Sequence, residues 1–482
     1  MKTTTGLFLP VLGLLAALPT WGAQEDTPGL SDQQEGMREN LEDSVVLEVE
    51  QEQAPEDEPD RDGWLPENLR VILPENLQEM HRLDVSLPWQ DEGSKGGDDS
   101  PASSTRDSTA ATPEIMEKPD KLMEFSRLPL TIIQERVPFL TRRKIIFFGR
   151  LEPELVRYTS GVLEEDRGFQ VRRFRLGLAG RFIPWPNWNY KIEMDLTDGE
   201  NTLADAYLSW HSHKWGTFRI GNQKVAQTLS GQTSSISNSF MERPLPVLAF
   251  TLQRRLGLGY DLHKSHFGIN TTIFATDLNK NVGSEGYAVR GYFNPTRTNS
   301  HIFHLGASFL KFSSDNDAQV RARPESNRTD TRLINTGVYS DVDTSSATGL
   351  ELAGAWGPVT MRSEFSSAQW GGKKTSGPKF DGWYVQGSWF PTGEMARYIE
   401  GKFIRPRVIS NRGAWELALR YSTTDLNDKE VEGGWEDNIS LGINWYSKKH
   451  WRVMANIIKV DADGPQGEQD PWILQTRLQY YF

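Results

Sequence analysis

The sequence contains neither cysteine nor a long uninterrupted apolar run. Without cysteine the chain can form no disulfide framework and offers no thiolate ligand for a metal. The apolar run near the start, roughly Leu7–Leu18, is shorter than the about 20 residues that a membrane-spanning helix requires. The mean hydropathy of -0.55 is also too polar for a helical membrane protein. These properties exclude a disulfide-stabilised module and a helical bundle of the inner membrane.

A sustained helical period is also lacking from the C-terminal two thirds of the chain, where polarity alternates at every second residue. Alternate side chains of a strand point to opposite faces. In a soluble sandwich the polar face of such a strand meets water, whereas in an outer-membrane barrel it lines a lumen and the apolar face meets lipid. The clearest stretch separates apolar from basic residues, with Phe174, Leu176, Leu178, Gly180 and Phe182 on one face and Arg173, Arg175 and Arg181 on the other.

Segments of about ten residues with this alternation are separated by clusters of Gly, Asn, Asp, Ser and Pro. Each is long enough to cross an outer membrane at a tilt, and there are about sixteen. They predict an all-β fold, a transmembrane antiparallel β-barrel over residues 145–482. The predicted strands are Ile145–Arg157, Val171–Phe182, Trp188–Leu196, Leu203–His211, Trp215–Gln223, Arg254–Leu262, Phe267–Thr276, Tyr287–Phe293, His301–Phe312, Leu350–Trp356, Val359–Trp370, Gly382–Phe390, Ala414–Ser422, Asn438–Tyr446, Trp451–Val460 and Trp472–Phe482.

Residues 1–23 have the features of a secretory signal peptide. Lys2 precedes the apolar run, and the small residues Gly22 and Ala23 follow it. We therefore expect the protein to be exported.

Residues 24–130 form a strongly acidic segment, with 28 acidic and 9 basic side chains, whereas residues 131–482 carry 37 acidic and 43 basic ones. The segment has few β-branched or aromatic residues and cannot bury enough apolar area to offset chain entropy. It is predicted to be a largely disordered periplasmic segment, and residues 131–144 a linker into the barrel. Leu65–Leu69 recurs as Leu73–Leu77, which is consistent with transient helicity or with a periplasmic docking motif.

The last predicted strand places Leu474, Leu478, Tyr480 and Phe482 on one face. A chain that ends on an aromatic residue at the tip of an amphipathic strand resembles the assembly signal of bacterial outer-membrane barrels. Together with the signal peptide, this pattern predicts a protein of the bacterial outer membrane, in contact with its lipid.

A succession of short motifs carries a more specific resemblance. In order along the chain, these are Phe147–Arg150, Arg172–Gly180, Asp205–Leu208, Arg219–Lys224, Phe240–Pro246 and Arg254–Gly257. The succession resembles the phosphate-selective porin O/P family. The resemblance implies a homotrimer of sixteen-stranded barrels in which a long loop folds back into each lumen. Residues 224–253 are the candidate for this constriction loop, because they are too many for a hairpin turn.

Basic residues on the lumen face of the predicted strands form the candidate anion pathway. Arginine suits phosphate because its planar fork donates paired hydrogen bonds. Arg172 has the opposite parity and is expected at the membrane interface, while Glu242 is expected to anchor the loop to a wall base. As an alternative, the lumen bases pair with inward carboxylates and only brace the wall. The predicted pathway comprises Arg173, Arg175, Arg181, Lys191 and Arg219, which point inward by strand parity, and Lys224, Arg243, Arg254 and Arg255, which bracket the loop.

These features predict a porin, a passive channel for phosphate, pyrophosphate or chloride, rather than an enzyme. No cofactor, metal or nucleic-acid partner is expected; His211 and His213 fit an interfacial position better than a metal site. The alternative function is a plugged outer-membrane barrel that acts in surface adhesion or envelope tethering through its N-terminal segment.

Overall fold

Alternation of apolar and polar side chains builds a closed antiparallel β-barrel of sixteen strands. The computed structural model describes residues 145–482 except 160, 183–184, 186, 198–201, 280–281, 299 and 373–376. The predicted signal peptide, acidic segment and linker lie outside the described residues. The strands are β1 (Ile146–Tyr158), β2 (Gly168–Arg181), β3 (Trp188–Asp195), β4 (Thr202–Ser212), β5 (Gly216–Lys224), β6 (Arg254–His263), β7 (Phe267–Asp277), β8 (Val282–Arg297), β9 (His301–Ala318), β10 (Tyr339–Trp356), β11 (Val359–Gly371), β12 (Lys379–Trp389), β13 (Ala414–Asp428), β14 (Val431–Tyr446), β15 (Trp451–Gly464) and β16 (Trp472–Tyr481).

Each strand pairs with its neighbours in the chain, and β16 returns to pair with β1. In this closing pair Arg150 lies opposite Tyr481, and Leu155 lies opposite Thr476. The backbone groups of Gly149 and Phe482 exchange two hydrogen bonds of 3.0 Å. Closure leaves no free sheet edge, which is the condition for spanning a membrane with strands.

All sixteen predicted strands are present, so the predicted fold class is confirmed. Several are longer than predicted: β8 spans Val282–Arg297 where the sequence predicted Tyr287–Phe293, and β9 and β10 reach 18 residues each. The additional residues are rich in Ser, Asp, Thr and Asn. They extend the ladder beyond the apolar band, where the alternation that marks a strand in the sequence is no longer visible.

The outer wall is apolar and exposed, whereas the interior holds buried charges. Leu441 is 55% exposed and Ile439 is 52% exposed, while Arg452 and Glu436 are fully buried. This is the reverse of a soluble protein and matches a barrel surrounded by lipid. Among the described residues, no helix has the length and apolar character to cross a bilayer.

Three long connections turn into the barrel interior: residues 225–253 (the inner loop), residues 319–338 (the β9–β10 loop) and residues 390–413 (the β12–β13 loop). Leu245 and Phe250 of the inner loop pack in one buried cluster with Ile334 of the β9–β10 loop and Phe380 of the wall. In a second cluster Leu229 of the inner loop packs with Tyr398 and Phe403 of the β12–β13 loop. The main apolar contacts inside the barrel therefore join these segments to each other and to the wall.

Short helical turns interrupt the inner loop. They are the helices Leu229–Gln232 and Leu245–Phe250 and the 3-10 turn Ser235–Ser237. The side chain of Thr228 caps the first helix by accepting a hydrogen bond from the Gly231 backbone N–H. Pro246 lies in the first turn of the second helix, where its missing N–H costs nothing.

Candidate functional site

A β-bulge in β2 sets the direction of the first arginines. Glu152 of β1 lies opposite Arg173, but the next residue, Pro153, lies opposite Val171, so Arg172 is the extra residue. Arg172 Nε donates to Glu242 Oε1 at 2.8 Å. The expected interfacial position of Arg172 is therefore wrong, because a one-residue bulge shifts strand parity and turns this side chain inward.

The inner loop crosses the barrel and is held by the wall opposite its own strands. Arg452 of β15 donates to two loop carbonyls, to Ile236 O at 3.0 Å and to Asn238 O at 2.7 Å. The backbone N–H of Met241 donates to Asn456 Oδ1 at 2.9 Å. The loop thus covers the interior face of the later strands and leaves the interior face of β2–β6 on its other side.

Glu242 of the inner loop contacts basic side chains of β2 and β16, near the start and the end of the barrel sequence. Its carboxylate lies 2.8 Å from Arg172 Nε and 2.8 Å from Arg477 Nη2, and Arg173 Nη2 lies at 4.0 Å. Burial opposes the charge of this carboxylate. The guanidinium groups of Arg172, Arg173 and Arg477 outweigh burial and lower the pKa of Glu242. The carboxylate is therefore ionised at neutral pH and ties the loop to β2 and β16.

Arg243 and Lys224 bind carbonyl oxygens of the inner loop. Arg243 Nε donates to Ser230 O at 2.9 Å, and its Nη2 donates to Thr233 O at 3.0 Å. Lys224 Nζ donates to Gln232 O at 3.0 Å. Both cations thus lie at the C-terminal end of a helical turn, where the carbonyl dipoles favour positive charge.

Burial and the neighbouring charge of Arg173 lower the pKa of Arg243 to about 10. Arg243 belongs to the inner loop, outside the membrane-spanning strands. Its guanidinium therefore stays protonated at neutral pH.

Strands β2, β3, β4 and β6 bring three further predicted bases together. Arg175 Nε lies 2.7 Å from Asp195 Oδ2. Asp205 is shared, with Oδ2 at 3.0 Å from Lys191 Nζ and Oδ1 at 2.6 Å from Arg254 Nε. The basic wall, defined as Arg172, Arg173, Arg175, Lys191, Arg219 and Arg254, therefore consists of ion pairs rather than isolated charges.

The other predicted bases are placed differently. Arg219 Nη2 lies 2.5 Å from Asp261 Oδ2 on the basic wall. Arg181 lies exposed at the end of β2, where its Nε donates to Asn189 Oδ1 at 3.4 Å. Arg255 pairs with Asp277 at 3.0 Å, apart from the group around Asp205.

Five of the six bases of the basic wall form ion pairs with one orientation. Arg219 has a side chain that is 25% exposed, against 9% for its partner Asp261. The same order, with the base more exposed than its carboxylate, holds for Arg172, Arg175, Lys191 and Arg254. Water inside the barrel therefore meets the cationic side of these pairs, whereas Arg173, at 6% against 8% for Glu242, is the exception.

Several interior charges were not among the predicted site residues. Arg420, Arg452 and Arg477 lie on later strands and are at most 2% exposed. Strand parity identifies them, since each alternates with lipid-facing residues within a predicted strand. Glu325 is different: it lies in the β9–β10 loop, and its position follows only from contacts distant in sequence.

The remaining predicted features lie on the wall surface. Leu474 and Leu478 face outward and are exposed, and the ring of Tyr480 lies 4.5 Å from that of Trp451. His211 Nδ1 lies 2.9 Å from Thr217 Oγ1. Within the part of the chain that the structure describes, no group of three or more His, Cys, Asp or Glu side chains could hold a metal ion.

A closed sixteen-stranded barrel with an apolar outer wall and a charged interior crossed by a loop is the architecture of an outer-membrane porin. Comparison with known proteins gives the family. The model of the family "Phosphate-selective porin O and P" matches residues 154–482. The chain therefore belongs to this family and is a protein of the bacterial outer membrane.

Individual proteins similar to this chain include one curated protein and several solved structures, and likeness to the latter is one of fold alone. A Caulobacter vibrioides protein described as uncharacterized is 29% identical over 352 residues, which cover 66% of this chain and 68% of that protein. The loop L8 deletion mutant of OmpT, an outer membrane protein of Vibrio cholerae, has a TM-score of 0.50 at 15% identity and covers 70% of this chain and 99% of its own. An anion-selective porin from Comamonas acidovorans has a TM-score of 0.46 at 11% identity, covering 70% and 100%. This last value is too low to support an argument.

Proposed function

We propose that this porin is an anion-selective passive channel for small inorganic anions, with phosphate and pyrophosphate preferred over chloride. The orientation of the ion pairs on the basic wall carries the proposal. If the ion pairs only braced the wall, there would be no reason for five of its six bases to be more exposed than their carboxylates. Low-dielectric walls would focus the resulting field and concentrate anions in the lumen.

Phosphate is favoured by the number of guanidinium groups beside the inner loop. Arg172, Arg173 and Arg243 lie around Glu242, two of them in contact with its carboxylate. Guanidinium groups bind oxyanions through paired hydrogen bonds, whereas chloride accepts them only as a single centre. Arg175, Lys191 and Arg219 then offer further weak sites, so that an anion can move between them without being trapped.

Planar-bilayer recordings on the purified protein test the proposal. In a gradient of potassium chloride, the zero-current potential should have the sign of an anion-selective pore. Added phosphate should lower the chloride conductance, because phosphate occupies the same guanidinium groups for longer. Cation selectivity would contradict the proposal, and an unchanged chloride conductance in phosphate would contradict the preference for phosphate.

Arg243→Ala tests the contribution of the inner loop. The variant should lose much of the phosphate effect, because it removes one of the guanidinium groups around Glu242. Arg412→Ala is the matched control, since Arg412 is exposed in the β12–β13 loop. A phosphate effect that is equal in both variants and in the wild type would exclude Arg243 from the pathway.

We further propose that the channel is a homotrimer, as the family resemblance implies. The apolar outer wall would supply the contact surfaces between barrels. Analytical ultracentrifugation in detergent should give three chains per particle. A monomer under conditions that preserve conductance would contradict this assembly.

A further inference from the structure

A small cavity lies on the other side of the inner loop, away from the basic wall. Ser230 and Thr233 of the loop face Arg362, Gln386 and Arg420 of the barrel wall across it. The three wall residues belong to adjacent strands and form one row: Arg362 lies opposite Gln386, and Gln386 lies opposite Arg420. Two guanidinium groups therefore flank one amide.

Two members of this row have no hydrogen-bond partner within the described part of the chain. Arg362 and Gln386 are each only 8% exposed, and no hydrogen bond or ion pair involves either side chain. The Nε atom of Arg362 is fully buried and unpaired. Phe403 of the β12–β13 loop covers one face of the guanidinium, with its ring centre 4.2 Å from Arg362 Cζ. A buried guanidinium whose N–H donors lack partners is expensive, so the cavity calls for a ligand.

The charge balance indicates the kind of ligand. Arg420 is already neutralised by Glu325. Glu242, which also lines the cavity, is paired with Arg172 and Arg477. The carboxylates of Glu416 and Glu364 lie near enough to offset part of the charge of Arg362, but neither forms an ion pair with it. A water molecule would satisfy its N–H donors but not its charge, whereas an anion would satisfy both.

The size of the cavity restricts the anion. Its volume is about 10 Å³, which is the scale of one water molecule. A monatomic ion such as chloride suits this space better than phosphate, whose four oxygen atoms need more room.

We propose that a chloride ion binds between Arg362, Gln386 and Arg420 and fixes the inner loop against β11–β13. The ion would have a structural role, because Arg362, Gln386 and Arg420 belong to β11–β13 and not to the basic wall. Its site would be filled whenever the external chloride concentration is high, and it would link the position of the loop to that concentration.

Bromide provides a direct test on the wild-type protein. Crystals of the full-length protein soaked in sodium bromide should show an anomalous peak within hydrogen-bond distance of Arg362 and Gln386. The peak should vanish in Arg362→Gln and persist in the control Arg412→Gln. Electron density in the cavity without an anomalous peak would show that the cavity holds only water and would overturn the proposal.

A stability measurement separates the site from a general salt effect. At equal ionic strength, the thermal midpoint of the wild type in detergent should be about 2–4 °C higher in sodium chloride than in sodium gluconate. Gln386→Glu places a fixed carboxylate between the two arginines, so this variant should be as stable in gluconate as in chloride. Equal midpoints for the wild type in both salts, or an undiminished chloride effect in Gln386→Glu, would contradict the proposal.

Discussion

Two parts of the barrel interior carry arginines but differ in their contact with water. On the basic wall of β2–β6 the bases of the ion pairs remain partly exposed, as Arg219 shows. On β13–β16, the covered wall, Arg420, Arg452 and Arg477 are at most 2% exposed, because the inner loop and the β9–β10 loop lie over them. An inward charge therefore does not by itself define a pathway. In the proposed channel, the pathway follows the side of the barrel that the loop leaves uncovered.

The energetic roles of the two walls should differ accordingly. A buried charge that loses its partner costs roughly 3–5 kcal/mol, whereas a partly hydrated ion pair contributes about 0–1 kcal/mol. Mutations on the covered wall should thus affect stability first, and mutations on the basic wall should affect conduction first.

Arg477→Met should have the largest effect on stability. Arg477 Nε donates to Glu154 Oε2 at 2.8 Å, and its Nη1 donates to the carbonyl of Met241 in the inner loop at 2.9 Å. Its loss leaves the buried Glu154 carboxylate with the Gln170 side-chain amide as a hydrogen-bond donor but without an ion-pair partner, at a cost of roughly 3–5 kcal/mol. Urea unfolding in detergent measures the change, with Arg219→Met as the control. An equal loss in both variants would remove the distinction between the two walls.

Glu325→Gln should have the next largest effect. Glu325 accepts hydrogen bonds from the Leu245 backbone N–H at 3.0 Å and from the Ser440 hydroxyl at 3.1 Å, and it pairs with Arg420. Charge-assisted hydrogen bonds contribute roughly 1.5–3 kcal/mol each, so the variant should lose about that much. It should also release the inner loop and make single-channel currents noisier. Unchanged stability together with quiet currents would show that the β9–β10 loop does not hold the inner loop.

Lys191→Gln should affect anion selectivity more than stability. Lys191 pairs with Asp205 and Glu193. After its loss Asp205 keeps Arg254 and Glu193 keeps Arg175 as ion-pair partners, so stability should fall by less than in Arg477→Met. Its loss leaves Asp205 facing the lumen with one base fewer, so anion selectivity should fall, most strongly at low salt. Reversal potentials at two ionic strengths measure the change. A large loss of stability with unaltered selectivity would place Lys191 among the bracing residues.

Deletion of residues 24–130 should have the smallest effect. If the basic wall sets the selectivity, then a chain in which the signal peptide is joined to residue 131 should conduct with the same anion preference. A loss of conduction would instead favour the plugged barrel that acts through its N-terminal segment.

The sequence predicts the strands well because the pattern that specifies them is local. Alternation over ten residues is enough to find β2 or β16, since lipid and lumen lie on opposite sides of every strand. The position of Arg172 could not be predicted in this way, because the β-bulge at this residue reverses the strand parity and the sequence composition does not indicate a bulge. The position of Glu325 could not be predicted either, because its contacts with Arg420 and Ser440 join residues 95 and 115 positions apart in the sequence. Local sequence patterns thus predict the strands of the barrel wall, whereas contacts between distant residues determine which part of the wall the inner loop covers.

Because the chain has no cysteine, a single introduced thiol can test whether anions reach the basic wall and not the covered wall. Arg219→Cys places a thiol on the basic wall, and Ser440→Cys places one on the covered wall, where Ser440 is fully buried. An anionic thiol reagent should modify Arg219→Cys rapidly and reduce the chloride current, while Ser440→Cys should remain unmodified in the folded channel. Modification of Ser440→Cys at an equal or higher rate, with a matching loss of current, would contradict the account.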